Sequence, residues 1–385
     1  MFAGRTNWNL KSNRLSEALA RHRAAGKPFL DLSASNPTEC GFDYDRQAIL
    51  QALSNPGSLS YVPEPKGLLS ARRAVSEYYS ARGITVPIEG MILTTSTSEA
   101  YSFAFRVLCN PGDEVLIPEP SYPLFSFLAD IHDVKLVGYP LFYDHGWQID
   151  FHALQQAIAE RTRAVIVVNP NNPTGHFCKS GEIENLNEIC SSRMLAIIAD
   201  EVFLDFHLAE NRPHSLVANT GSLTFTMSGL SKISGLPQMK AAWLIASGPA
   251  ELKSQALSRL DVIADTFLSM NAPVQLALPV FLDLRHGFQK QLMARVRKNL
   301  AELDRLLSRQ NSCTRLEMEG GWYAVVRVPV IRSDEDLAID LLSKHAVYVH
   351  PGHFYDFPAD GHLIVSLIAQ EGDFNEGIKR LLSMF

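Results

Sequence analysis

From about Met91 to Leu244, short β-rich runs alternate with stretches that carry apolar residues at helical spacing. No other feature of the 385-residue chain constrains its fold as tightly. The runs are Met91–Thr94, Val115–Pro118, Val134–Tyr139, Ala164–Val168, Leu195–Ala199, Leu223–Met227 and Ala242–Ile245. Between them Glu99–Leu108, Phe151–Ala159 and Ile183–Cys190 show helical periodicity, and Asn110-Pro111-Gly112-Asp113 ends the first of these before the next strand. Such alternation builds a mostly parallel sheet with helices packed on its faces. The expected fold class is α/β, with a large domain formed by a mostly parallel seven-stranded sheet sandwiched between helices.

After Asn271-Ala272-Pro273 a long helical pattern runs through Leu292, Val296, Leu300 and Leu303 to Leu307, and the texture then changes. Trp322–Val328 and Leu363–Leu367 read as strands, while Ser333 stands as a helix N-cap ahead of Leu337–Leu342. This is the pattern of a smaller α+β domain. We expect the large domain over 45–285 and the small one over 1–44 and 286–385, built from both termini. There is no internal repeat or low-complexity tract.

Composition narrows the partners. A net charge of −6 and no dense basic block give no reason to expect nucleic acid, and pairs such as Arg72-Arg73 read as a solvated helix face. No run reaches the ~18 apolar residues of a membrane span, and the N-terminus opens no apolar signal region. Cys40, Cys109, Cys178, Cys190 and Cys313 are scattered and odd in number, which points to reduced thiols and a cytoplasmic location rather than disulfides or a zinc site.

Three strand ends carry chemistry. The run Val167-Val168-Asn169-Pro170-Asn171-Asn172-Pro173-Thr174-Gly175 is a buried-type strand stopped by two Asn-Pro steps, since the residue before proline avoids helical geometry. The next strand ends in Asp200-Glu201, and the one after leads into Ser228-Gly229-Leu230-Ser231-Lys232. In open α/β sheets, ligands bind beyond the carboxyl ends of the strands. Taken singly, the carboxylates read better as a helix cap and the lysine as a surface residue; a lysine buried in a Ser/Gly turn would instead be a weakly basic, nucleophilic amine.

Together, Asn-Pro-x-Asn-Pro-Thr-Gly, Asp-Glu-Val-Phe and Ser-Lys, in this order, resemble the fold type I pyridoxal 5′-phosphate (PLP) enzymes, specifically the class I/II aminotransferases, and the resemblance covers nearly the whole chain. It implies that Lys232 forms the Schiff base with the cofactor and moves the substrate proton, and that Asp200 keeps the pyridine nitrogen protonated. It further implies that Asn172 bonds the phenolic oxygen and that Tyr122 stacks on the ring. By the same resemblance Ser96, Thr97 and Ser98, at a strand-to-helix junction, hold the phosphate together with Ser231 and Lys240. Tyr61 then reaches the phosphate of a neighbouring subunit, which makes the active unit a homodimer with shared sites. The partners implied are a small-molecule amino donor and an oxo acceptor.

Three positions depart from the family. Lys240 stands where Arg is usual, exchanging a bidentate fork for a point charge. Phe203 stands where Tyr usually donates to the phenolic oxygen, so the Schiff base is expected to hold its proton to higher pH. Ile364 stands where many relatives carry the Arg that clamps the substrate's α-carboxylate, leaving Arg5, Arg327, His350 and His353 as candidates to replace it. Transamination by a ping-pong cycle is the leading expectation. A C–S lyase or other eliminating lyase, and a non-catalytic PLP-binding regulator, are the alternatives.

Overall fold

The computed structural model describes residues 1–123, 125–210 and 213–385. After a short N-terminal strand, β1 (Leu30–Asp31), the chain lays down β2 (Met91–Thr94), β3 (Glu114–Glu119), β4 (Lys135–Tyr143), β5 (Trp147–Ile149), β6 (Thr162–Val168), β7 (Ala196–Asp200), β8 (Thr224–Gly229) and β9 (Ala242–Ser247). These last eight form one sheet in the order β2-β9-β8-β7-β6-β3-β4-β5. Every one of the seven expected runs is a strand of it. The eighth, β5, pairs antiparallel with the end of β4. Three residues behind Asp144-His145-Gly146 are too few for a periodicity signal.

Strands β8, β7, β6, β3 and β4 run parallel, and the central ones are buried on both faces. This is why β6 and β7 read as continuous Ala/Val/Ile runs instead of alternating. One large core lies on one side of the sheet and extends into the C-terminal elements, while two smaller cores pack against the rest.

The helix Ala272–Leu307 spans 36 residues, about 54 Å at the standard rise. It leads to β10 (Thr314–Arg315), β11 (Tyr323–Arg327), β12 (Val347–Tyr348), β13 (His350–Pro351) and β14 (His362–Ser366). Four of these make a second sheet in the order β10-β11-β14-β13, and β1 pairs with β12. The N-terminal segment is fastened there: the Ser366 N–H donates to Leu32 O at 2.6 Å and the Ser366 hydroxyl to Ala34 O at 2.5 Å. Buried Asn299 on the long helix donates to the carbonyls of Leu367 and Ala369, both at 2.9 Å. Ser333 caps the helix Asp334–His345 as its sequence position implies.

Candidate active site

Register alone brings the three strand ends together. Val168 pairs with Asp200, and Asp200 with Met227, so β6, β7 and β8 finish level at one edge. Thr94 pairs with Ala242 and Ala242 with Gly229, which puts the end of β2 and the start of β9 at that same edge. The loops bearing Asn172, Asp200, Ser231, Lys232, Lys240 and the 96–98 junction therefore all leave from one side of the sheet.

Lys232 sits in a four-residue helical turn, Leu230–Ile233, directly after β8. Its ammonium lies 4.9 Å from the Trp322 ring centre and 5.3 Å from that of Phe203. Burial among these rings pushes the amine down to about 8, against the pull of the Asp200 charge. Asp200 is 8% exposed, and burial pushes its carboxyl up to about 6, opposed by the Val202 N–H, the Tyr101 phenol and Lys232. The site thus holds a buried, weakly basic amine and a buried carboxylate that feel each other's charge.

Asn172 is 8% exposed, and its amide oxygen is buried without a hydrogen-bond partner among the described residues. It shares a narrow cleft with Phe203, Trp322 and Tyr323. The loop is held there by Gly175 at φ +73°, where a Cβ would stand 2.5 Å from the Gly320 carbonyl oxygen. Only glycine fits. Tyr122 remains partly exposed, packs edge-on against Phe125 at 6.4 Å, and has its phenol pushed up by burial and by the Asp200 charge.

At the β2 end, Ser96 caps the helix Thr97–Leu108 and accepts the Glu99 N–H at 3.2 Å, while Glu99 reaches back to the Thr95 N–H at 2.6 Å. That is a capping box shifted by one residue at its return bond, and it leaves the first-turn N–H groups of Thr97 and Ser98 free of intrahelical partners. Lys240 is exposed, in left-handed conformation at φ 52°. Tyr61 lies far out on the surface, 75% exposed, beside Leu59 at 91%.

Of the cationic candidates, Arg5 is committed to Asp133 at 2.6 Å and His353 is exposed. Arg327 is also exposed, its guanidinium 5.8 Å from the Tyr143 ring centre. Ile364 is 1% exposed. Tyr101, Trp322 and Tyr323 are site residues that the motifs did not reveal. For Tyr101 the available signal was a phenol within the apolar stripe Ala100, Tyr101, Ala104, Phe105 of its helix.

Residues 27–373 match the family Aminotransferase class I and II. The chain is 31% identical to alanine aminotransferase of Mycobacterium bovis over 378 residues, covering 94% of this chain and 86% of that protein. It is 28% identical to the glutamate-pyruvate aminotransferase of Haemophilus influenzae over 382 residues, 95% and 92% of the two chains. Its structure superposes on an aminotransferase from Escherichia coli with a TM-score of 0.88 at 25% identity, covering 100% of this chain and 98% of that one. With residues 27–373 matched by the family and 100% of the chain covered in fold, the chain belongs to the class I and II aminotransferases, and as such is a PLP-dependent transferase.

Proposed function

We propose that this aminotransferase exchanges an amino group between a small α-amino acid and a 2-oxo acid in two half-reactions, with Lys232 and Asp200 as its catalytic pair. The observation that carries the assignment is the desolvated Lys232 amine, enclosed by Phe203 and Trp322 and facing the buried Asp200 charge. PLP fits these residues. The partnerless amide oxygen of Asn172 marks an amide turned to an absent polar group, and the Thr97 and Ser98 N–H groups suit a phosphate. When bound, PLP supplies an electron sink for the bond broken at the substrate's α-carbon.

The protein's part is to hold and move protons. Asp200 would balance a positive charge on the pyridine nitrogen, and Lys232, with an amine near 8, would take and return the α-proton close to neutral pH. Asn172 would orient the phenolic oxygen, Tyr122 would cover one ring face, and Phe203 would line the cleft beside it. Ser96, Thr97, Ser98, Ser231 and Lys240 would take the phosphate.

We further propose a cytoplasmic homodimer in which exposed Tyr61 completes the neighbour's phosphate site, and a division into the 45–285 domain and the 1–44 plus 286–385 domain. The names of the relatives suggest the substrates to try first. The test is single-turnover mixing of the PLP-loaded enzyme with L-alanine or L-glutamate. The expected result is a loss of the aldehyde cofactor's visible absorbance with release of pyruvate or 2-oxoglutarate, reversed by adding the oxo acid. Absence of conversion with both, and with a wider panel of amino acids, would overturn the assignment.

A further inference from the structure

The substrate's second anchor is legible in the register of the small sheet. Directly opposed residues of an antiparallel pair share a face, as do alternate residues along a strand. Tyr323 pairs with Ser366, Val325 with Ile364, and Ile364 with His350, so Tyr323, Val325, Ile364 and His350 stand on one face. That face is turned to the active site, for the Tyr323 ring centre lies 6.4 Å from that of Phe203, whose ring adjoins the Lys232 amine.

Three basic side chains stand on this face: Arg327 and His362 pair with each other at the end of the strands away from Tyr323, where Arg327 is exposed and the His362 Nδ1 lies 3.2 Å from the Ala359 carbonyl oxygen, while His350, opposite Ile364, stands nearer to Tyr323. Its Nδ1 lies 3.2 Å from the Tyr355 hydroxyl, and among the described residues no other hydrogen bond reaches the ring. The backbone places Tyr355 at the site as well: its carbonyl accepts the Ser121 N–H at 2.9 Å, beside Tyr122. When Nδ1 accepts from Tyr355, the proton resides on Nε2, which then becomes a donor.

We propose that His350, its tautomer fixed by Tyr355, reads the carboxylate of the amino-acid donor through Nε2–H. This rests on the aminotransferase assignment and deepens it. Burial pushes the His350 imidazole down, so recognition is by a neutral hydrogen-bond donor, in a site where Arg327 points to Tyr143 and Arg5 is paired elsewhere.

The experiment compares single-turnover rates for L-alanine and for ethylamine, which lacks only the carboxylate, in the PLP-loaded wild type and in His350→Phe and His350→Gln. The ratio of the two rates is the readout. We expect the wild type to favour L-alanine, His350→Phe to lower the ratio at least ten-fold, and His350→Gln, whose amide can donate from near the Nε2 position, to keep it within about three-fold. A packing role among Tyr348, Phe354 and Tyr355 would give the opposite order, because Phe fills that space better than Gln; that order overturns the proposal. So does a wild-type ratio near one. If His350→Phe does not fold, Tyr355→Phe decides: a ratio at least three-fold lower supports the proposal and an unchanged ratio overturns it. Failure of the wild type to convert any amino acid would instead overturn the functional assignment beneath it.

Discussion

The Tyr101 phenol donates a 3.2 Å hydrogen bond to the Asp200 carboxylate, across 99 residues of sequence. Burial raises Asp200 to about 6, and this bond is one of the contacts holding it from rising further. Tyr101→Phe removes a donor to a charged group, worth about 1.5–3 kcal/mol, so the carboxyl moves up by roughly one to two pH units. Asp200 must be ionised to balance a ring nitrogen cation. The acidic limb of the kcat/KM profile should therefore shift to higher pH in the variant, with little change on the alkaline side. An unmoved acidic limb would detach Asp200 from that limb.

Lys232 lends itself to a stability test free of cofactor. Its folded pKa, about 8, lies below the ordinary lysine value of 10.5, so the unfolded chain binds more protons between those values. Apo-protein stability should rise with pH across that window because of this group. Lys232→Met removes the effect: below pH 8 the variant should melt at or above the wild-type temperature, the difference shrinking as pH climbs past 10. The same variant should lose amino-group exchange by at least about 10²-fold, the usual scale for a positioned proton carrier.

How much of this was legible beforehand follows from the range over which each interaction acts. Strands β6 and β7 announce themselves because burial on both faces leaves nearly unbroken apolar runs, and Asn172 and Asp200 stand out as polar residues at or just past their ends; β8 is equally buried but alternates Thr and Ser with Phe and Met before the chain reaches Lys232. Tyr101 and Trp322 stay hidden, because a buried aromatic near a site has the same local pattern as one in a core. His350 was visible only as one of four candidate cations. What singles it out is its pairing with Ile364 across β13 and β14, and a two-residue strand such as β13 has no periodicity to read.

Phe203 is 4% exposed and meets Trp322 edge-on at 5.1 Å. Phe203→Tyr adds a hydroxyl to a cleft already shared with Asn172. If that hydroxyl donates to the cofactor's phenolic oxygen, the ionised form gains a partner. The pH midpoint of the bound cofactor's visible absorbance should fall by about one unit, the scale of one hydrogen bond to a charged acceptor. Spectrophotometric titration checks it. A rise would mean that the hydroxyl is turned into the aromatic wall and only crowds the site.

His176 and Glu319 tie the Asn172 loop to the segment that delivers Trp322. His176 is 2% exposed; its Nε2 lies 3.1 Å from Glu182 and its Nδ1 3.6 Å from Glu319. Glu319 also accepts the Phe177 N–H at 3.1 Å and pairs with Lys179. His176, Lys179 and the Phe177 N–H hold its carboxyl down at about 2, while the two carboxylates and Cys178 hold the His176 imidazole well above its ordinary value. The signs follow. Glu319 contributes stability that is present above its ordinary value near 4.5 and lost as pH falls towards 2; His176 contributes stability present below about 6.5 and lost as pH rises through its elevated value. Glu319 is half in solvent, so screening keeps its share modest. Glu319→Gln should lower the melting temperature by about 2 °C at pH 7, and the gap to wild type should close between pH 4.5 and 2 as the wild-type carboxyl takes up its proton. A gap that stays constant over that acid range would show that the charge of Glu319 is not what fastens the loop.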